Sequence, residues 1–269
     1  MSGRGGTHGI ARMIRLSAVT CAALACGFAL VADEVVDDGR DRYDRALDLT
    51  VHATTGPALT SPVRVATELG ATATTAAACL VTAGWLLARG RRWRAALALG
   101  ASWCGGQVAV ALLKHLLHRP RPDLFPPLVH AYGYSFPSGH TFSAVVAYGL
   151  LAAFVAERLT GRRRIIPPLA AAAVVGAVGF SRVYLGAHYP ADVLGSLLLG
   201  GAWLSATLAA VRIAEEPGTT IAAFGPVRTA RRTLRHVAER MGGVRLPTRV
   251  ARTAAPGADA GRPGPEKDR

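Results

Sequence analysis

Apolar residues occur along this chain in six long blocks, none of which has a charged residue in its interior. The blocks are near the lower limit of the roughly 17 to 25 residues with which an α-helix crosses a bilayer. A buried helix of a soluble protein is the alternative for any single block, but six in series favour a membrane protein. The pattern predicts an all-α integral membrane bundle of about six transmembrane helices. The predicted spans are 16–32, 71–88, 95–113, 141–156, 165–180 and 193–211.

Basic residues fall in alternate connections of this six-span arrangement. Arginines precede the first span, lie between the second and third and between the fourth and fifth, and follow the sixth. The positive-inside rule therefore predicts that both termini are cytoplasmic and that the other three connections face outward. We expect a cytoplasmic N-terminal segment (1–15), a six-span domain (16–212) and a basic cytoplasmic tail (213–269). A cleaved signal peptide is the alternative for the first span.

The tail changes in composition to Gly, Pro, Thr and Arg, which is typical of disorder. Within it, apolar residues at intervals of three and four predict an amphipathic helix over 226–241 on the anionic inner leaflet, with a solvated basic tail as the alternative. The formal net charge of +14 indicates anionic partners. No aromatic interleaving or recognised nucleic-acid-binding fold accompanies this charge, so the expected partners are phosphorylated lipids and membrane lipids, not nucleic acid.

Positive charges on the predicted outer side run against the charge bias and therefore indicate a function. They lie in KHLLHRPRP at 114–122 and in SRVYLGAHYPAD at 181–192, and the connection that contains the first stretch ends with PSGH at 137–140. The predicted topology brings these three stretches to the same face of the bundle. Arginine forks and a lysine ammonium gathered there can neutralise the oxygens of a phosphate group.

Two histidines stand at predicted helix starts on that face. Ser138 can cap the fourth span, and Gly139 lets the backbone approach an anion, which puts His140 beside the first-turn N–H groups. The proline two residues after His188 suits the first turn of the sixth span, so Asp192 falls within that turn. This spacing of four residues allows the carboxylate to contact the imidazole, leaving its other nitrogen free to attack phosphorus.

Taken in order, the motifs KxxxxxxRP, PSGH and SRxxxxxHxxxD resemble the signature of the type 2 phosphatidic acid phosphatase (PAP2) superfamily, in its integral-membrane lipid phosphatase branch. The resemblance implies a PAP2/haloperoxidase-like helical core and a phosphohistidine intermediate, with no metal or other cofactor. It implies that His188 is the nucleophile, Asp192 its orienting partner, and His140 the group that protonates the leaving group and later activates water. The phosphate-binding residues that it implies are Lys114, Arg121, Ser138, Gly139 and Arg182.

An outward-facing site at the membrane boundary suits the phosphomonoester or diphosphate of a lipid, such as polyprenyl diphosphate, phosphatidic acid or phosphatidylglycerol phosphate. The Ala-rich, Arg-over-Lys composition is typical of bacterial proteins and favours undecaprenyl-type carriers of cell-wall synthesis in the plasma membrane. A vanadate haloperoxidase-like enzyme and a non-enzymatic lipid-binding or transport protein remain alternatives. Zinc-site spacings are absent from the sequence. The remaining polar residues of the first motif, His115, His118 and Arg119, are expected to be solvated or to contact headgroups.

Overall fold

The computed structural model describes residues 4–36, 42–90 and 92–215. This part of the chain contains eight α-helices and two 3₁₀ helices, Pro57–Leu59 and Gly161–Ile165, and no strand. The predicted all-α class is therefore confirmed. Most of the predicted tail, including the helix expected over 226–241, lies outside the described residues. The α-helices are α1 (Arg4–Val36), α2 (Arg42–Thr54), α3 (Thr60–Glu68), α4 (Thr72–Gly90), α5 (Trp93–Leu117), α6 (Gly139–Ala156), α7 (Ile166–Tyr184) and α8 (Pro190–Glu215).

Five segments of the described chain are long and apolar enough to cross a membrane as single helices. They correspond to the first, third, fourth, fifth and sixth predicted spans. The segments are Arg12–Val35, Trp93–Leu117, Gly139–Ala156, Gly161–Tyr184 and Pro190–Glu215.

The second predicted span, 71–88, matches α4, which is long and apolar enough to cross a membrane only together with the segment before it. The two parts, Pro57–Glu68 and Thr72–Ala88, meet at a bend of 47°, and the sequence predicted only the second of them. Gly70 lies in the break, against α6 and α7. A Cβ atom added there would lie 2.5 Å from Cγ1 of Val178 and 3.0 Å from Cβ of His140. Only glycine lets the backbone pass this close to its neighbours.

Helix α6 lies at the centre of the bundle and packs against α4, α5, α7 and α8. Within its apolar window 56% of the residues are buried, against 28% or less in the other four single-helix spans. Phe142 meets the ring of Trp203 edge-on, with 6.1 Å between the ring centroids. The indole N–H of Trp203 in turn donates to the carbonyl of Ser102, at 3.0 Å. These contacts tie α5, α6 and α8 together beneath the polar end of the bundle.

An ion-pair network closes the opposite end. Arg92, just before α5, donates to Glu157 at 2.8 Å and to Oε1 of Glu215 at 2.7 Å. Arg212 forms a second ion pair with Glu157, at 2.8 Å. The hydrogen bond to Glu215 is the main reason that the pKa of Arg92 is raised.

All three sequence motifs lie at the end of the bundle away from this network. Helix α5 ends there and α6 begins there, joined by residues 118–138, and the short turn 185–189 joins the end of α7 to the start of α8. Helix α2 packs against α7 and α8 at this same end. The fold thus brings four helix ends and one additional helix around a single polar region.

Candidate active site

His188 and Asp192 form a buried pair at the start of α8. Nδ1 of His188 lies 3.2 Å from Oδ2 of Asp192, and the backbone N–H of Tyr189 donates to the same oxygen at 3.0 Å. Burial lowers the pKa of His188 to about 3, although the hydrogen bond to Asp192 acts in the opposite direction. A neutral imidazole whose Nδ1–H donates to the carboxylate has an unprotonated Nε2, which is the form required of a nucleophile.

Arg121 faces the other nitrogen of this imidazole. Its Nη1 lies 3.4 Å from Nε2 of His188 and donates to the carbonyl of Ala187 at 2.7 Å. Further bonds to the carbonyls of Gly133 (2.9 Å) and Tyr132 (2.8 Å) hold the guanidinium in place. Burial lowers the pKa of Arg121, and the charge of Asp192 opposes that effect. The backbone of the loop thus fixes a cation beside the candidate nucleophile.

Lys114 approaches the same loop from the last turn of α5. Its Nζ donates to the carbonyls of Tyr134, at 2.5 Å, and Ser135, at 3.0 Å. An ammonium group has three N–H donors, so one donor remains beyond these two bonds. The charge of Lys114 acts on His188, which places the ammonium within electrostatic range of the imidazole.

Arg182 is buried in the last turn of α7 and is held from α3. Its Nη1 donates to Oγ1 of Thr67 at 2.7 Å, whereas its Nε has no hydrogen-bond partner within the described part of the chain. Its carbonyl accepts hydrogen bonds from the backbone N–H groups of Ala187 (3.0 Å) and His188 (3.2 Å). A buried N–H that lacks an acceptor is costly, and a bound anion would satisfy it.

The PSGH motif forms the start of α6, as the sequence predicts, but the predicted capping bond is absent. Ser138 occupies the N-cap position with an extended backbone and makes no side-chain cap hydrogen bond. Its hydroxyl instead accepts a hydrogen bond from Thr141, at 3.1 Å, and is completely buried. Its backbone N–H donates to the carbonyl of Asp192 at 3.3 Å, so α6 and α8 are joined directly at the site. Gly139 is the first residue of the helix.

His140 lies in the first turn of α6 and is half-buried. The charges of Arg182, Arg121 and Lys114 all act on it. The positive charges of these side chains also interact with one another or with His188. The structure therefore brings residues of all three motifs into one cluster. Within the described residues, no group of three or more His, Cys, Asp or Glu side chains is arranged to hold a metal ion.

Arg119 contradicts the expectation that it is solvated or contacts headgroups. Only 4% of its side chain is exposed, and its guanidinium donates to Asp192 at 2.6 Å and to Asp44 at 2.7 Å. The guanidinium carbon also lies 4.4 Å from the ring centroid of Tyr189. No local signal distinguishes this arginine from Arg121 two residues later, because its acidic partners are distant in the sequence. His115 and His118 are exposed, as expected.

Two acidic residues of α2 also belong to this region. Oδ1 of Asp44 accepts a hydrogen bond from the backbone N–H of Ala191, at 2.9 Å. Asp48, one turn later, is completely buried, and neither carboxylate oxygen has a hydrogen-bond partner among the described residues. Burial raises the pKa of Asp48 to about 6, and the charges of Asp44 and Asp192 contribute to the same effect. The sequence indicated only an acidic connection here.

Comparison with known proteins identifies relatives of this helical core. Residues 95–215 match the family model of the PAP2 superfamily. Phosphatidylglycerophosphatase B of Bacillus subtilis is 42% identical over 91 residues, which are 33% of this chain and 44% of that protein. Undecaprenyl-diphosphatase BcrC of the same organism is 34% identical over 126 residues, or 45% of this chain and 61% of that protein. The chain thus spans about half the length of these curated relatives.

A solved structure has the same arrangement of helices. It is the transmembrane PAP2 type phosphatidylglycerolphosphate phosphatase from Bacillus subtilis, with a TM-score of 0.66 and 27% sequence identity. The similarity covers 70% of this chain and 94% of the solved chain. The bundle described above is therefore a known transmembrane fold.

Proposed function

We propose that this chain, whose residues 95–215 match the family model of the PAP2 superfamily, is an integral-membrane lipid phosphatase of that family. The observation that carries this proposal is the environment of His188. One ring nitrogen contacts Asp192, and the other faces Arg121 within a cluster that also contains Lys114 and Arg182. An oriented, neutral imidazole surrounded by cations is suited to attack on a phosphate ester.

The first step forms a covalent intermediate. Nε2 of His188 attacks phosphorus, so that an N–P bond forms as the bond to the leaving oxygen breaks. Protonated His140 gives its proton to that oxygen, and general-acid help of this kind is commonly worth about 10² to 10⁴ in rate. Asp192 stays hydrogen-bonded to Nδ1 and stabilises the positive charge that develops on the ring of His188.

The second step releases phosphate. His140, now neutral, takes a proton from a water molecule whose oxygen attacks the phosphohistidine. A new P–O bond forms as the N–P bond breaks, and His188 returns to its neutral form while His140 is protonated again. The two steps balance without any further reactant besides water.

Charge neutralisation in both steps is assigned to Lys114, Arg121 and Arg182. The buried Nε of Arg182 has no acceptor among the described residues, and the ammonium of Lys114 has a donor beyond its two backbone bonds. These donors suit the nonbridging oxygens of a phosphoryl group, whose charge must be neutralised as it is transferred. Gly139 and Ser138 contribute the start of α6, where backbone N–H groups favour an anion. We propose that this set acts without a metal ion.

The substrate is proposed to be the phosphomonoester or diphosphate of a lipid. Relatives are named for action on phosphatidylglycerophosphate and on undecaprenyl diphosphate. An apolar groove of about 420 Å³ lies between α6, α7 and α8, but it extends toward Ala156 and Pro168, away from the polar cluster, so the lipid substrate is proposed from the named relatives alone. Residues such as Val145, Gly149, Val175 and Leu197 line it.

The protein is a multi-pass membrane protein, and we propose the bacterial plasma membrane with the site on the outer side. The domain division is proposed as predicted: an inner segment 1–15, a membrane domain 16–212, and a basic inner tail 213–269. Arginines at the end of the bundle opposite the site support this orientation, because basic residues are retained on the cytoplasmic side. They include Arg92, Arg94, Arg158 and Arg212.

Phosphate release in the presence of EDTA tests the proposed function. Purified protein in detergent is given polyprenyl diphosphate, phosphatidic acid and phosphatidylglycerol phosphate in turn. We expect wild type and His130→Ala, which alters an exposed histidine, to release phosphate, and His188→Ala to release none. Equal release by His188→Ala would overturn the mechanism. No release by folded wild type would favour a lipid-binding or transport protein instead.

A further inference from the structure

The carboxylate that orients His188 is itself held by a second cation. Asp192 uses Oδ2 for His188 and for the backbone N–H of Tyr189, and its other oxygen, Oδ1, accepts a hydrogen bond from Arg119 at 2.6 Å. Asp192 is completely buried. Rotation of its carboxylate away from His188 would therefore require breaking a charge-assisted bond at a completely buried position.

Arg119 is in turn held by an acidic residue from a different part of the chain. Its second terminal nitrogen donates to Oδ2 of Asp44 at 2.7 Å, and the ring of Tyr189 lies against the guanidinium. The other oxygen of Asp44 accepts from the backbone N–H of Ala191, at the start of α8. Asp44 thus contacts both Arg119 and the helix that carries Asp192.

These four charged or titratable groups form a continuous buried chain. The exposed fractions of the side chains are 11% for Asp44, 4% for Arg119, 0% for Asp192 and 3% for His188. Charges at this depth require good partners, because removing one partner leaves the other both desolvated and unpaired. Since both terminal nitrogens of Arg119 bond carboxylates, its geometry suits orientation of Asp192 and not binding of a phosphate.

We propose that Arg119 and Asp44 are positioning residues that hold the Asp192–His188 pair in its reactive geometry. Helix α2, which precedes the matched family region, is then part of the catalytic unit and not only a connection between spans. This inference rests on the proposed function of His188. One of its tests needs no enzymatic turnover, so the positioning role and the proposed phosphatase reaction can be refuted separately.

The first measurement is the tautomer of His188. We compare wild type, Arg119→Lys and Arg119→Gln, each labelled with ¹⁵N-histidine in detergent, and identify the His188 signals with His188→Ala. Wild type and Arg119→Lys should carry the proton on Nδ1, because a cation still holds Asp192. In Arg119→Gln the carboxylate is released, and a share of His188 should carry the proton on Nε2 instead. An unchanged tautomer in Arg119→Gln would overturn the proposal, whatever the activity.

The second measurement is the steady-state kinetics of phosphate release. Arg119→Gln should lower kcat by about 10²-fold with KM within about twofold of wild type, because orientation is lost and phosphate contacts are not. Arg119→Lys, which keeps the charge but not the fork, should lower kcat by about tenfold. The matched control is Arg45→Gln in α2, whose ion pair with Asp123 is 3.6 Å long and exposed. It should leave kcat unchanged.

The third measurement asks whether Asp44 acts through Arg119. Asp44→Asn should lower kcat by about tenfold, and the double variant Asp44→Asn/Arg119→Gln should be no slower than Arg119→Gln alone. Additive losses would show that Asp44 acts independently and would overturn its place in the chain. If wild type releases no phosphate from any lipid while the tautomer still responds to Arg119→Gln, the positioning role stands and the proposed reaction fails.

Discussion

Replacing Asp48 by asparagine tests the electrostatics of the buried region beneath α2. The Asp48 side chain is completely buried, and neither oxygen has a hydrogen-bond partner among the described residues. The negative charges of two other carboxylates, Asp44 and Asp192, also raise the pKa of Asp48. All of these features favour the neutral acid, and asparagine has nearly the same shape without the ability to ionise.

The size of the effect follows from the pKa of Asp48, which burial raises from 3.8 to about 6. Because the folded protein binds this proton more tightly than the unfolded chain, the resulting stability is fully present below pH 3.8 and is lost as the pH rises through about 6. At about 1.36 kcal/mol per pKa unit, the loss is about 2 kcal/mol at pH 5 and about 3 kcal/mol at pH 8. Asp48→Asn lacks this loss, so its advantage over wild type should grow by about 1 kcal/mol between those pH values.

Thermal unfolding in detergent at both pH values measures this difference. For a protein of this size, about 1 kcal/mol corresponds to about 2 to 4 °C in Tm. The difference in Tm between Asp48→Asn and wild type should therefore be larger at pH 8 than at pH 5 by about that amount. The measured quantity is the change with pH in the Tm difference between variant and wild type, because burying the asparagine amide also destabilises the protein by an amount that does not depend on pH. Asp123→Asn, whose side chain is 77% exposed, is the control and should show a constant difference. A constant difference for Asp48→Asn as well would refute the reasoning.

Two further substitutions test the fold at opposite ends of the bundle. Gly70→Ala should destabilise the protein by about 1 to 3 kcal/mol, since its Cβ would lie 2.5 Å from Val178 and the branched side chain cannot move away freely; an unchanged Tm would contradict this packing. Arg92→Ala should cost about 1 to 3 kcal/mol by removing charge-assisted bonds to Glu157 and Glu215, with kcat within about twofold of wild type, because the network lies away from the site. A large loss of kcat with unchanged Tm would contradict that assignment.

The helices of the bundle could be predicted because most of them carry their own signal. Five uncharged apolar blocks of the sequence correspond to single helices of sufficient length and hydropathy. Helix α3 could not be predicted in the same way, because its nine residues include Arg64 and Glu68 and form only the first part of a broken span. The break depends on close packing of Gly70 against residues of α6 and α7, which are distant in the sequence.

In the site, too, local contacts could be predicted from the sequence and contacts between distant residues could not. The contact between His188 and Asp192 is local, since a spacing of four residues at a helix start brings the two side chains together, and the sequence predicted it. The environment of Arg119 depends instead on Asp44, 75 residues earlier. No periodicity or spacing connects these positions. The bond between Arg182 and Thr67 was missed for the same reason.

The most direct test of the central claim is detection of a phosphoryl group on His188. The protein is mixed with polyprenyl diphosphate labelled in its terminal phosphate and quenched in alkali, in which phosphohistidine survives. The modified residue is then identified by peptide mapping. His140→Ala serves beside wild type: because His140 acts in both steps, its loss should slow the labelling of His188 and also make the label persist longer once formed. We expect label on His188 in wild type and in His140→Ala, and none in His188→Ala. Label on another residue, or hydrolysis by wild type with no labelled protein at any time point, would contradict it.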